Sequence, residues 1–210
     1  MFYKEPFIIN PETFSLIQEL QSLDILKEFY LVGGTALALK LGHRNSIDID
    51  LFTQNEFSTQ QIEEKIALNR TFSKSFEREN TLMCFINSIK TDFIRHNYPF
   101  VKDPITEEGI TYLSMEDIAA MKLNAIAQSG KRLKDFIDIY FLLQHFSVSQ
   151  MLNFYQIKYP NSNKMIALKA LEYFEDIDPN IDPPLLKTPL PLAKIKKRII
   201  EGVLHLNKIF

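Results

Sequence analysis

The sequence predicts an α+β protein: an N-terminal α/β lobe built on a mixed sheet, residues 1–110, followed by a helical lobe, residues 111–210. Three observations carry this. Runs with strand character all fall before Pro104. From Ser114 onward, apolar residues recur at the three-to-four-residue spacing of amphipathic helices. Near the N-terminus a Gly-Gly pair stands between an apolar strand and a helix, a strand–turn–helix opening.

Taken in order, Phe14, Ile17, Leu20 and Leu23 or Leu26 repeat at helical spacing between Pro11 and Glu28, and Pro11 suits the first turn. "FYLVGG" reads as a short buried strand ended by glycines, and "TALALKLG" as a helix closed by Gly42. "SIDIDLF" alternates strictly, Ile47, Ile49 and Leu51 against Asp48, Asp50 and Phe52, which is the period of a strand with one buried face. A helix over about 59–69 follows. "TFSKSFERE", "TLMCFINSI" and "KTDFIRHNY" are strand-rich runs parted by Glu79-Asn80 and Asn87-Ser88, and read as a meander. Ser114 with Asp117 forms a capping box opening a helix through Gln128, and Gly130 suits its stop. Further helical patterns run over about 133–145, 148–158, 164–175 and 192–207. "DIDPNIDPPLLKTPLP", with five prolines, is expected to run extended before the last of them.

Composition excludes several classes. Hydrophobic residues make up 46% and charged residues 24%, as in an ordinary globular protein. A net charge of −2 supplies no global attraction to nucleic acid or anionic membrane, so such contacts need a local basic patch. The single cysteine, Cys84, sits in an apolar strand and reads as a small core residue of a reduced, cytoplasmic protein. The longest uncharged stretch, Phe29 to Leu39, is too short to cross a bilayer, which takes about 20 helical residues. No membrane partner is expected.

Asp48 and Asp50, two apart on a strand, would leave the same face and converge. Two carboxylates that close raise each other's pKa unless a cation stands between them, and a divalent metal is the usual solution. Asp92 lies on a later strand candidate. If the two strands are neighbours, the three acids supply enough oxygens for two Mg²⁺ ions that keep water; taken singly, each acid reads first as a solvated strand-face residue. Gly33 and Gly34 let a backbone approach a ligand, the helix N-terminus favours an anion, and the Thr35 hydroxyl adds a hydrogen bond, so this turn can hold a phosphate. Arg44 can pair with a phosphate tail or with the acids, and Ser46 can orient its loop. Lys122 falls among Ile118, Ala119, Ala125 and Ile126 on an apolar, inward stripe, where an ammonium needs a partner. Asp135 and Asp138 open the next helix, within reach of Lys131 and Lys134 at i, i+4 spacing. Lys131, Arg132 and Lys134 form a short basic patch.

Gly33-Gly34-Thr35, a spacer, Asp48-x-Asp50 and a separate Asp92 together resemble the signature of the DNA polymerase β-like nucleotidyltransferase superfamily. The form "GGTALALKLGHRNSIDIDLF", with Arg44-x-Ser46-x-Asp48-x-Asp50, is similar more narrowly to the AbiEii/AbiGii toxin family of nucleotidyltransferases, found in bacterial toxin–antitoxin and phage-defence systems. "DIAAMKLNAIAQSGKRLKDFIDIYFLL" is similar to the downstream motifs of that family. One departure is Thr35, where many superfamily members carry serine; the hydroxyl is kept.

The resemblance implies a nucleotidyltransferase lobe, with the helical lobe completing the nucleotide cleft. It implies that Asp48 and Asp50 hold two Mg²⁺ ions and the incoming nucleoside triphosphate. Asp92 would complete the metal site and help deprotonate the acceptor hydroxyl, while Gly33, Gly34 and Thr35 contact phosphates. Lys122 would meet the triphosphate, and Asp135 or Asp138, with Asp138 favoured by its deeper place in the apolar run, would belong to the active site. The implied acceptor is the tRNA 3′ end or another RNA, and the implied partner a cognate antitoxin protein. A small-molecule or protein acceptor, and an inactive scaffold that binds nucleotide or a partner, are the alternatives.

Overall fold

The computed structural model of the protein describes residues 1–210, which divide into two compact units. The first joins Met1–Tyr98 to Pro104–Leu113, and the second joins Pro99–Asp103 to Ser114–Phe210.

The first unit opens with α1 (Pro11–Gln21), capped by the Asn10 side chain on the Glu12 N–H and burying Thr13, Leu16, Ile17 and Leu20. The helix stops seven residues before Glu28, where the apolar repeat runs out. The Ser22 hydroxyl bonds back to the Glu19 carbonyl, a local alternative to the helical ladder, and a single 3-10 turn over Asp24–Leu26 follows. Next come β1 (Tyr30–Leu31), α2 (Gly33–Leu41), β2 (Ile49–Thr53) and α3 (Thr59–Ala67). Then β3 (Phe72–Arg78), β4 (Thr81–Ile86) and β5 (Ile89–Arg95) form the expected meander, turning on left-handed Asn80 and on left-handed Asn87 and Ser88. A hairpin of β6 (Ile105–Glu107) and β7 (Ile110–Tyr112), absent from the sequence reading, turns on Glu108 and Gly109, both at positive φ as a two-residue hairpin loop demands.

These strands make one mixed sheet in the order β3-β4-β5-β2-β1-β7-β6. β2 runs parallel to β5, and β1 runs parallel to β7 and antiparallel to β2. One sheet face is the core of the unit: Ile49, Leu51, Leu82, Cys84, Ile86, Thr91 and Phe93 are completely buried. The other face carries the polar alternates of the same strands. Register sets them in rows, with Phe76, Met83, Asp92 and Asp50 side by side across β3, β4, β5 and β2. The β3 register shifts between Lys74 and Phe76, a bulge at Ser75, whose hydroxyl donates to the Met83 carbonyl at 2.9 Å.

The second unit is helical: α4 (Met115–Gln128), α5 (Leu133–Leu142), α6 (Val148–Lys158), α7 (Lys164–Ala170) and α8 (Leu192–Leu204). Ser114 caps α4 by accepting from the Asp117 N–H at 3.0 Å. The capping box of the sequence reading forms only by half, because the Asp117 carboxylate is taken elsewhere. It accepts from the Ser114 hydroxyl at 2.7 Å, from the Val101 and Lys102 N–H groups at 3.0 and 3.1 Å, and from Lys158 Nζ at 2.7 Å. Both members of the Lys158–Asp117 ion pair are fully buried. This cluster straps Pro99–Asp103 onto the helices. The proline-rich segment before α8 has no helix or strand, and is tied to the start of α5 by the Asp178 N–H on the Lys131 carbonyl at 3.0 Å. No helix of the chain is long and apolar enough to cross a membrane.

Candidate active site

The candidate residues fall into two sets, one in each unit. In the first, the β1–α2 turn is shaped by its neighbours. Gly33 opens α2 at φ +68°, and an added Cβ would stand 2.4 Å from Asp50 Oδ2. A Cβ on Gly34 would stand 2.1 Å from an Arg44 guanidinium nitrogen. A side chain at either glycine would have to push one of these groups aside, and Gly33 also holds a left-handed backbone. Arg44 is 2% exposed, and one of its guanidinium nitrogens donates to the Asn45 carbonyl at 2.9 Å. The buried Thr35 hydroxyl shares a 2.8 Å hydrogen bond with Ser46 Oγ and also donates to the Asp48 carbonyl. The Val32 N–H donates to the Asp50 carbonyl at 2.9 Å. Thus Gly33, Gly34, Thr35, Arg44 and Ser46 form one interlocked corner around the start of β2.

That corner corrects the sequence reading at two positions. Asp48 is not on the strand, which begins at Ile49, and Ile47 is 56% exposed instead of sharing the buried face. The physical reason is that backbone groups upstream are already spoken for. Thr35 takes the Asp48 carbonyl, and the Ser46 N–H donates to the Ile8 carbonyl at 2.9 Å.

Asp50 and Asp92 lie directly opposite each other on parallel neighbours, β2 and β5. Neighbouring strands are about 4.8 Å apart, so the two carboxylates share one small region. Asp92 is 6% exposed, and its Oδ1 is buried with no hydrogen-bond partner. Its Oδ2 is 3.3 Å from Lys90 Nζ. Burial pushes the Asp92 carboxyl above its usual range and the Asp48 charge adds to this, while Lys90 opposes both. Burial in turn works against the Lys90 ammonium, but Asp92, Asp48 and Asp50 together hold its pKa above the ordinary lysine value. Lys90 is the residue the sequence reading missed: it lies two before Asp92, and that spacing on a strand puts both on one face.

The expected three-carboxylate cluster does not close into a finished cage, for no three His, Cys, Asp or Glu side chains converge as metal ligands in this structure. Asp48 sits one residue off the ladder, and Asp92 leans on Lys90. The donor set nevertheless fits a hard divalent cation that keeps part of its water. It is all carboxylate oxygen, and it includes a buried acceptor atom, Asp92 Oδ1, that the protein leaves unbonded.

In the helical unit, Lys122 is 7% exposed, and its ammonium lies 2.7 Å from Asp135 Oδ1 and 2.8 Å from Asp138 Oδ2. The inward lysine has two partners, both on α5. The i, i+4 pairs expected for those aspartates do not form: Lys134 turns to Asp182, as does Arg132 at 2.8 Å. Two members of the basic patch are therefore engaged with the proline-rich segment.

Comparison with known proteins agrees with this architecture. The model of the family described as "Nucleotidyl transferase AbiEii toxin, Type IV TA system" matches over residues 18–108 and 83–183. An uncharacterized protein of Aquifex aeolicus, aq_aa25, is 34% identical over 174 residues, covering 80% of this chain and 84% of that protein. Two solved structures share the fold along almost the whole chain. One is a candidate nucleotidyltransferase from H. pylori, with TM-score 0.56 and 17% identity over 94% of this chain and 95% of that one. The other is JHP933 from Helicobacter pylori, with TM-score 0.50 and 16% identity over 95% and 93%. The family match, on this fold, makes the protein a nucleotidyltransferase. The chain belongs to the AbiEii nucleotidyl transferase toxin family.

Proposed function

We propose that the protein is a Mg²⁺-dependent transferase that moves a nucleoside monophosphate from a nucleoside triphosphate to an acceptor hydroxyl, with the tRNA 3′ end as acceptor, and that it is the toxin of a toxin–antitoxin or phage-defence pair restrained by a cognate antitoxin protein. The observation that carries the chemistry is the opposed pair Asp50 and Asp92 with Gly33 pressed against Asp50. It supports a reaction centre bounded on one side by a phosphate-binding turn and on the other by a buried carboxylate.

Asp48, Asp50 and Asp92 would hold the metal ions, which when bound supply Lewis-acid activation of the α-phosphate and stabilise the leaving pyrophosphate. The backbone of Gly33 and Gly34 and the start of α2 orient the triphosphate. Thr35, Ser46 and Arg44 keep that turn in register with β2 through the contacts described above. Asp92, which offers its unbonded Oδ1 to complete the metal site, would also help deprotonate the acceptor hydroxyl. Within the helical unit, Asp135 and the fully buried Asp138 position the Lys122 ammonium.

The test is label transfer from each of four α-labelled ribonucleoside triphosphates, with Mg²⁺, to total bacterial RNA and separately to total protein. Label on small RNA that disappears in the Asp48→Ala, Asp50→Ala variant is the expected result. Label on protein would overturn the RNA acceptor, and equal label from the folded variant would overturn the site.

A further inference from the structure

The face of the sheet that carries Asp50 and Asp92 does not end at the carboxylates. Moving away from the glycine turn, the row continues from Asp92 on β5 to Met83 on β4 and Phe76 on the edge strand β3. The next row sets Phe85 beside Lys90. Phe76 is 48% exposed and Phe85 41% exposed, an unusual degree of exposure for two rings on one small patch of sheet.

The bulge is what brings Phe76 there. In an unbroken β3–β4 ladder, the pairing of Ser73 with Phe85 would set Ser75 opposite Met83 and turn Phe76 to the opposite face, where Lys74 and Glu77 meet α3. The extra residue, Ser75, re-aims the ring onto the carboxylate face. Cations flank the aromatic row at both ends. Lys90 stands beside Phe85, and Arg78, bonded to Thr81 on the neighbouring row, stands beyond Phe76. The whole patch lies on the Asp92 side of Asp50, whereas the phosphate-binding turn lies on the β1 side.

We infer that Phe76, Met83 and Phe85 form a stacking platform for the unpaired bases at the end of a single-stranded RNA acceptor, with Lys90 and Arg78 meeting its phosphates. The inference rests on the transferase reading above. The topology assigns the two substrates to opposite sides: triphosphate at the glycine turn, acceptor over β4 and β3, its terminal hydroxyl arriving at Asp92. Phe76 lies two strand spacings from Asp92, about 10 Å, which is the reach of a nucleotide neighbouring the reacting end. Aromatic faces flanked by cations bind single strands with little regard to sequence, because every base has a π-face.

The probe is a 5′-fluorescein-labelled mixed-sequence octaribonucleotide, followed by anisotropy without triphosphate. Phe76→Ala and Phe85→Ala should each raise its Kd by about 5- to 150-fold, the range for one lost base–aromatic stack. The chain contains no tryptophan, so Phe76→Trp places one indole on the platform; it should keep wild-type affinity and lose emission when the RNA binds. Triphosphate affinity by calorimetry should stay the same in all three variants, and their melting curves report folding. Unchanged RNA affinity in both alanine variants with no quenching in Phe76→Trp would overturn the platform. If label transfer to RNA persists in that case, the transferase reading stands without it. Loss of a dimer in light scattering, with RNA binding unaffected, would overturn it in favour of self-association along the β3 edge. RNA binding that depends on Phe76 in a protein that transfers no label would support the platform and overturn the transferase reading alone.

Discussion

The contact between Gly33 and Asp50 permits a direct test of how tightly the phosphate turn and the carboxylates are built as one object. Gly33→Ala faces two penalties. The backbone at φ +68° is left-handed, which costs an L-residue about 1–2 kcal/mol. The new Cβ also meets Asp50 Oδ2 at 2.4 Å, against about 3.5 Å for ordinary contact, so the carboxylate must move by about 1 Å. With that displacement the total is about 2–4 kcal/mol, and a misplacement of this size lowers transfer by about 100-fold. The two penalties separate in a double-mutant cycle, because Asp50 Cβ would stand 3.6 Å from the new methyl, an ordinary contact. In the Asp50→Ala background, Gly33→Ala should cost only the backbone part, about 1–2 kcal/mol. Urea unfolding of the four proteins measures both, and label transfer measures the single variant. An equal cost in both backgrounds, or wild-type transfer by Gly33→Ala, would refute the reasoning.

Four further outcomes follow from the structure. Lys122→Met leaves Asp135 and Asp138 buried together without their cation, so urea unfolding should show a loss of about 3–5 kcal/mol, recovered in part by adding Asp135→Asn and Asp138→Asn. Lys158→Met should cost less than Lys122→Met in the same assay, because Asp117 keeps its bonds from the Ser114 hydroxyl and the Val101 and Lys102 N–H groups. The N-terminal ammonium and Lys40 hold the Glu107 carboxyl down to about 2; its contribution is present above the ordinary glutamate pKa of 4.5 and is lost as pH falls towards 2, so Glu107→Gln should flatten the acid side of the thermal-stability profile across that window. Burial pushes the Cys84 thiol up to about 12, so it should resist a thiol-specific reagent in the native protein at neutral pH and react once urea unfolds the chain.

What could be read from the residues is what depends on local pattern. The meander turns on Asn80, Asn87 and Ser88, all left-handed, and Asn and Ser were the visible signals. Ser114 was recognisable as a cap because it precedes an apolar helical run. Features set by competition between distant groups were hidden. Asp48 stands just ahead of the strand with its carbonyl bonded by Thr35, thirteen residues upstream, and nothing in "SIDIDLF" announces that. Lys134 chooses Asp182, in the proline-rich segment, over Asp138 four residues away. The β6–β7 hairpin is too short for its alternation to show. Lys90 was overlooked for a different reason: a lysine on an alternating strand means little until its neighbour strand is known to carry Asp50.

The strap over Pro99–Asp103 gives the chain an unusual inheritance. The polypeptide leaves the sheet unit at Tyr98, contributes five residues to the helical unit, returns for the β6–β7 hairpin, and leaves again at Leu113. A gene fragment beginning at Ser114 would encode helices whose Asp117 has lost two of its N–H donors and whose Lys158 has lost the Pro99 carbonyl, bonded at 3.3 Å. A single crossover at Ser114 would therefore part Asp117 and Lys158 from contacts that belong to their own compact unit.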